Sequence, residues 1–202
     1  MSRVVADITI SVDGFVTGPD AGPEAGPEAG LGRGGEELHA WVDSGHEVDQ
    51  GVLERSAAAS GAVVMGRHLF DVIDGPHGWN DEMGYGANQA ATPPFFVVTS
   101  TEPEGVRLAA THDFTLVLDG PAAAVELARA AAGDRDVVVM GGAAVVRGCL
   151  EARVVDELRL HLSPLVLGAG TPLFEGASRR LLTQRDVLVS PHATHLTYDV
   201  GR

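Results

Sequence analysis

Asp136-Val137-Val138-Val139-Met140-Gly141-Gly142-Ala143-Ala144-Val145-Val146 is the stretch on which the fold turns. A run of β-branched apolar residues ends in a glycine pair, and an amphipathic helix pattern starts at once. A run that is apolar on both faces reads as a buried central strand. Two glycines let a ligand lie directly against the backbone, and the free N–H groups of the new helix offer an anion site. Such a turn suits a pyrophosphate, although alone it is equally a tight corner. It gains force because two more strand ends carry ligand-type residues.

Working outward, strand patterns fall at 4–10, 62–65, 95–98, 114–118, 137–140, 157–162, 186–190 and 194–200. Helix patterns fall near 35–43, 49–59, 67–71, 121–132 and 143–150. The fourth helix starts at Asp119-Gly120-Pro121, a cap with proline in the first turn, and Gly133 ends it. Alternating strands and helices predict a three-layer α/β/α fold around a mixed, mostly parallel sheet. The last two strands, parted by the Pro191-His192 turn, predict a C-terminal hairpin. Two long loops interrupt this pattern. One, 18–35, carries a tandem Ala-Gly-Pro-Glu repeat; the other, 75–94, embeds Trp79 and Tyr85 among glycines and polar residues. Lids are favoured over idle inserts. Neither marks a domain boundary, so residues 1–202 are expected to form one domain.

Composition excludes several functions. A net charge of −14 argues against nucleic acid and anionic membranes as partners. No unbroken apolar stretch reaches the roughly 18 residues of a membrane span. Met1-Ser2-Arg3 passes straight into a strand pattern without a signal peptide, and Cys149 is the only cysteine. Both suit a reducing cytoplasm, with Cys149 as an inert packing thiol. All 14 basic residues are arginine. Without lysine there is no Schiff base, no pyridoxal phosphate anchor and no Walker-type lysine. An anionic ligand must be held by arginine, backbone N–H groups or hydroxyls.

The first strand alternates, setting Asp7, Thr9, Ser11 and Asp13 on one face. That row is either the wet face of an edge strand or the lining of a pocket, because a buried carboxylate is costly without partners. The second strand end is Val63-Val64-Met65-Gly66-Arg67-His68, with Arg67 placed for a phosphate or merely on a surface turn. The third is Val97-Val98-Thr99-Ser100, whose hydroxyls either bind ligand or cap a turn. His192 and His195 lack a third partner, so no metal site is expected. Ser163 lacks nucleophile-elbow glycines. Glu157, Arg159 and His161 share a polar strand face expected at the surface or a subunit contact. His39, Trp41 and Trp79 are candidate walls of a substrate pocket.

The ordered series Ser11-Val12-Asp13-Gly14, Val64-Met65-Gly66-Arg67, Val97-Val98-Thr99-Ser100, Val139-Met140-Gly141-Gly142, Asp156-Glu157-Leu158, 162–170 and Leu173-Phe174 resembles the dihydrofolate reductase superfamily. Within it, the chain is most similar to the C-terminal reductase domain of the bacterial bifunctional riboflavin-pathway deaminase-reductase. The resemblance implies a dihydrofolate reductase-like fold with NADPH extended across the strand ends. Thr9 and Val16 would flank the nicotinamide, and Gly66, Arg67 and His68 would meet phosphates. Thr99 and Ser100 would lie near the ribose. Met140, Gly141, Gly142, Ala143, Ala144 and Val145 complete the cofactor set, with backbone N–H groups from Gly141 onward cradling the pyrophosphate.

Several positions depart from the pattern. Asp7 stands where riboflavin-pathway reductases carry a lysine, a charge reversal that would repel a phosphorylated substrate. Glu36 and Glu37 lie in about the region of the folate reductases' catalytic carboxylate. Ala144 replaces an arginine often found in folate reductases, and Glu102 opposes a 2′-phosphate, so NADPH over NADH rests largely on Arg67. The implied function is transfer of hydride from NADPH to a small heterocyclic or carbonyl substrate. Asp7 is the expected catalytic residue, shielded enough for a raised pKa, and Asp7, Glu37, Trp41 and Trp79 are the expected substrate contacts. The alternative is a nicotinamide- or small-molecule-binding protein without turnover, a sensor or sequestering module. The small-molecule substrate is the expected partner, and a homodimer is open.

Overall fold

The computed structural model describes residues 2–22, 30–76, 78–80, 84–85 and 92–201. Its centre is a strand run that is buried along its whole length, β3 (Ser60–Gly66). Beside it lie β6 (Asp136–Gly141) and β1 (Val4–Ile10), then β7 (Glu157–Leu162); on its other side lie β4 (Phe95–Val98) and β5 (Phe114–Val117). All six run parallel. Parallel strands are covered on both faces, which is why they read as unbroken apolar runs. β10 (Thr194–Val200) joins β7 antiparallel and β9 (Leu182–Val189) closes the edge, giving the order β5-β4-β3-β6-β1-β7-β10-β9. A separate ribbon pairs β2 (Phe15–Thr17) with β8 (Thr171–Pro172).

The strand alternation decides the layers. Val4, Ala6, Ile8 and Ile10 pack with α3 (Gly120–Ala132) and α4 (Ala143–Glu151) in one core. On the other face, Val63, Met65, Phe95 and Val97 pack against α2 (Arg67–Asp74). α1 (Glu47–Ala59) covers the same face at β1 and β10, through Ser56 to Asp7 and Asp49 to His195. Fully burying one such aliphatic side chain contributes about 1.5–3 kcal/mol. The fold is therefore α/β around a mostly parallel sheet with antiparallel C-terminal strands, as the alternation of patterns implies. Cys149 is buried among apolar neighbours, which pushes its thiol up to about 12 and leaves it inert. Among the described residues, no helix is long and apolar enough to cross a membrane.

Three of the differences from the sequence reading have a clear local cause. The 35–43 segment is only a 3-10 helix, Glu36–His39, bounded by Gly35 and by Gly45 at φ 67°. Too few residues lie between these glycine breaks to repay helix nucleation. α1 starts at Glu47, earlier than expected, because the His46 side chain accepts from Val48 N. β9 begins at Leu182 rather than 186, and almost all of it is exposed. An edge strand open to water carries no alternating pattern to reveal its start.

The face of Glu157 and His161 is also not a surface. Glu157 is 1% exposed and binds Arg3, Arg159 and Arg185. Arg3 also grips Asp136, tying together the starts of β1, β6 and β7. His161 is 4% exposed.

Candidate functional site

A cleft of about 970 Å³ opens at the carboxyl ends of β3, β4 and β6. In open α/β sheets, ligands bind in the crevice outside those ends. α2 begins one residue after Gly66, and α4 begins one residue after Gly142, so two helix N-termini meet there. Gly120 and Pro121 at the start of α3 form a further wall. The first N–H groups of a helix have no partner within it, so Ala143 and Ala144 present theirs at the cleft lining. The start of the long first loop, Gly18 to Ala21, forms the opposite rim.

The two glycine positions differ in what they serve. A Cβ on Gly66 would stand 2.9 Å from Val145 Cγ2, so that glycine lets β3 and α4 approach. A Cβ on Gly142 would meet no atom within 4 Å; its space opens into the cleft. Gly141 sits at φ 133°, a conformation that favours glycine, and the Gly141–Gly142 peptide is cis.

Arg67 lies in the lining and is held in place. Its Nε donates to Asp71 Oδ1 at 2.6 Å, and its Nη1 to Thr101 O at 2.7 Å and Thr99 Oγ1 at 3.3 Å. The Thr99 hydroxyl in turn donates to Thr101 O at 2.7 Å. Together these bonds join the ends of β3 and β4, with Asp71 paired to the guanidinium.

Of the expected cofactor residues, Val16, Gly66, Arg67, His68, Thr99, Ser100, Gly142, Ala143, Ala144 and Val145 line the cleft. Thr9, Met140 and Gly141 are set behind it. Thr9 is buried and accepts from Trp41 Nε1 at 3.1 Å, while Met140 packs on the α2 core. The four expected substrate contacts do not line the cleft, and only Asp7 and Trp41 come together, on either side of His161. Glu37 is exposed on the 3-10 helix, turned to solvent by a helix that buries only Leu38. Trp79 packs against Phe95 and His112 in the α2 core, because apolar partners lie beside it. The Tyr85 phenol lies near Asp7, and burial raises its pKa.

Asp7 and Trp41 belong to a buried polar layer between β1, β7, β10 and α1. His161 Nε2 lies 2.7 Å from Asp7 Oδ1, His161 Nδ1 lies 2.8 Å from His195 Nδ1, and His195 Nε2 lies 2.9 Å from Asp49 Oδ1. Ser56 Oγ donates to Asp7 Oδ2 at 3.0 Å, and Ser44 Oγ to Asp49 Oδ2 at 2.7 Å. The expected raised pKa of Asp7 is corrected by these contacts. Burial alone would raise it, but the charge and hydrogen bond of His161, with Arg159 and Ser56, hold it below the usual carboxylate range. Asp7 is an ionised acceptor. His161, His195 and Asp49 were missed as a unit because the register of β7 with β10 sets His161 opposite His195 and the packing of α1 adds Asp49, neither of which is a local pattern. Among the described residues, no group of three or more His, Cys, Asp or Glu side chains could hold a metal ion.

The mostly parallel sheet, the cleft at its strand ends and the antiparallel C-terminal strands define a dihydrofolate reductase-like α/β protein. The chain belongs to the RibD C-terminal domain family, whose model matches residues 2–196. That places it among reductase-like domains. No curated protein matches the sequence. A protein from Shewanella sp. PV-4 described as a candidate riboflavin biosynthesis protein is similar over 100% of both chains, with a TM-score of 0.69 and 21% identity. A bifunctional diaminohydroxyphosphoribosylaminopyrimidine deaminase/5-amino-6-(5-phosphoribosylamino)uracil reductase from Thermotoga maritima matches 99% of this chain and 57% of its own, with a TM-score of 0.68 and 13% identity. Dihydrofolate reductase from Enterococcus faecalis matches 99% of this chain and 97% of its own, with a TM-score of 0.56 and 13% identity. At these identities the likeness is one of fold.

Proposed function

We propose that this protein is a reductase that binds NADPH in the strand-end cleft and delivers hydride to a small substrate with a C=N or C=O bond. The observation that carries this reading is Gly142, whose missing side chain leaves space that no protein atom fills, beside the N-terminus of α4. Bare backbone and oriented N–H groups suit a pyrophosphate. Arg67 supplies a guanidinium for a phosphate at the other wall, steadied by Thr99, and Ser100 offers a hydroxyl group nearby.

In this reading the substrate binds at the sheet face of Asp7, whose side chain keeps 13% of its exposure, while Trp41 is buried. An ionised Asp7 favours a neutral or cationic group there and disfavours a phosphate, which separates this chain from a reductase of phosphoribosyl compounds. Hydride transfer depends chiefly on orientation and a dry site, so few side chains need touch the reacting atoms. Saturable quenching or enhancement of NADPH fluorescence, followed by NADPH oxidation with a panel of imines, pterins, flavin precursors, quinones and activated carbonyls, tests the proposal. Binding without oxidation of NADPH by any compound would favour a sequestering or sensing module, and absence of binding would overturn the cofactor assignment.

A further inference from the structure

The polar layer forms one continuous hydrogen-bonded chain: Asp7, His161, His195, Asp49. Its proton count follows from the geometry. Both Nδ1 atoms face each other at 2.8 Å, and a contact between two imidazole nitrogens is a hydrogen bond only with one proton between them. Both Nε2 atoms face carboxylate oxygens, at 2.7 and 2.9 Å, and each of those contacts also takes one proton. Three bonds hold three protons. Two neutral imidazoles supply two. The chain therefore carries one extra proton, wherever along it that proton rests.

The surroundings fit a positive charge on the pair. The Trp41 ring centroid lies 4.5 Å from that of His161 and 5.0 Å from that of His195. A cation within about 6 Å of an indole face is attracted by the ring quadrupole. Burial holds His195 below the ordinary imidazole range in spite of the Asp49 hydrogen bond, and the charge of His161 pushes it the same way. His39, packed nearby, is pushed down to about 4 by burial and then by His161, against the pull of Asp43. Both effects disfavour a charge on His195 and on His39.

The chain has one open end. The Asp7 side chain keeps 13% of its exposure, against 5% for His161, 5% for His195 and none for Asp49. Around Asp7 stand Ser56 from α1, Arg159 from β7 at 3.6 Å, and Tyr85. At the closed end, Asp49 is bound by Ser44, with Ser190 beside it.

We propose that Asp7, His161, His195 and Asp49 form a proton relay that stores one proton on the imidazole pair and releases it through Asp7 to the substrate. This deepens the reductase proposal and rests on it for the acceptor. When NADPH is bound, it supplies the hydride that adds to the carbon of the substrate's C=N or C=O bond. Asp7 passes the His161 Nε2 proton to the heteroatom as the π bond breaks. The product is the amine or alcohol with oxidised nicotinamide, and the relay regains its proton from water through Asp7. The relay leaves the hydride's path untouched; it supplies the second hydrogen. His161, His195 and Asp49 act through Asp7 and are positioning residues.

The test starts with the whole chain, free of cofactor, carrying 15N-labelled histidine. At neutral pH, NMR should show three ring N–H protons across His161 and His195, with the Nδ1 proton shared. Two neutral rings titrating independently at neutral pH would overturn the relay. Asp49→Asn keeps the shape but removes a counter-charge, so the extra proton should leave the pair at lower pH. In turnover, the alkaline fall of kcat should move to lower pH in Asp49→Asn, with NADPH affinity unchanged within twofold. A kcat–pH profile identical to wild type would overturn release through Asp7. If Asp49→Asn fails to fold, His195→Gln serves in the same comparison: it should abolish the shared-proton signal and cut kcat by on the order of tenfold or more. Three protons on the pair with no NADPH oxidation by any compound would count against the reductase proposal while the stored proton stands.

Discussion

Gly66 and Val145 meet so closely that a Cβ on Gly66 would stand 2.9 Å from Val145 Cγ2. The contact fixes how near the end of β3 comes to the first turn of α4, and so sets the floor of the cleft. Val145 is β-branched and stiff at χ1, so it has little room to yield. Gly66→Ala should destabilise the fold by about 1–3 kcal/mol through overpacking, read by urea unfolding. It should also weaken NADPH binding by shifting α4. Unchanged stability would show that α4 relaxes freely and that this contact sets nothing.

Gly142 makes the opposite case. Its Cβ position is open, and its φ of −78° is one that any residue adopts. Gly142→Val should therefore fold normally by circular dichroism. Its isopropyl group would occupy the proposed pyrophosphate position and cut NADPH affinity at least tenfold, or about 1.4 kcal/mol. Wild-type affinity in a folded variant would reduce the glycine pair to a tight corner.

Arg67 is expected to separate the two nicotinamide cofactors. A hydrogen bond to a charged group contributes roughly 1.5–3 kcal/mol, and NADH lacks the 2′-phosphate that would receive it. Arg67→Ala should weaken NADPH strongly and NADH little, measured by parallel fluorescence titrations. Equal losses would assign Arg67 to the pyrophosphate or to the corner it makes with Asp71 and Thr101.

Asp13 ties the turn after β1 to the segment before β8. It accepts from Ser11 Oγ at 2.6 Å, Gly168 N at 2.7 Å and Leu167 N at 3.1 Å. These bonds, the Ser11 hydroxyl foremost, lower its carboxyl from 3.8 to about 2. A depressed carboxylate stabilises the fold fully above its unfolded pKa, and this is lost as pH falls through the folded value. The Tm difference between wild type and Asp13→Asn should be full above about pH 5 and close as pH falls toward 2. A difference that persists unchanged at the acid end would deny the carboxylate this role.

How far the sequence could be read depends on the range of the interactions involved. The end of β3, the end of β4 and the Gly141-Gly142 turn were legible because glycine, arginine and hydroxyl residues punctuate short apolar runs, a local signal. The polar row of β1 was legible as alternation, which put Asp7 and Thr9 on one face. Their partners were not. Asp7 meets His161 only through the parallel register of β1 with β7, and His161 meets His195 only through the hairpin return of β10. Those pairings span 154 and 34 residues, and no local pattern encodes them. A raised pKa for Asp7 followed from burial considered alone; the long-range His161 and Arg159 contacts reverse its direction. Glu37 and Trp79 were drawn to the pocket by residue type, but a four-residue 3-10 helix and an aromatic cluster decide where they stand.

The central claim is that a dinucleotide lies on the backbone at the start of α4. A crystal structure of the protein with NADP⁺ tests it most directly. The account predicts pyrophosphate density against Gly142, with N–H groups of Ala143 and Ala144 pointing at its oxygens and Arg67 on the adenosine side. Dinucleotide density elsewhere, or a cleft that stays empty at saturating NADP⁺, would contradict it.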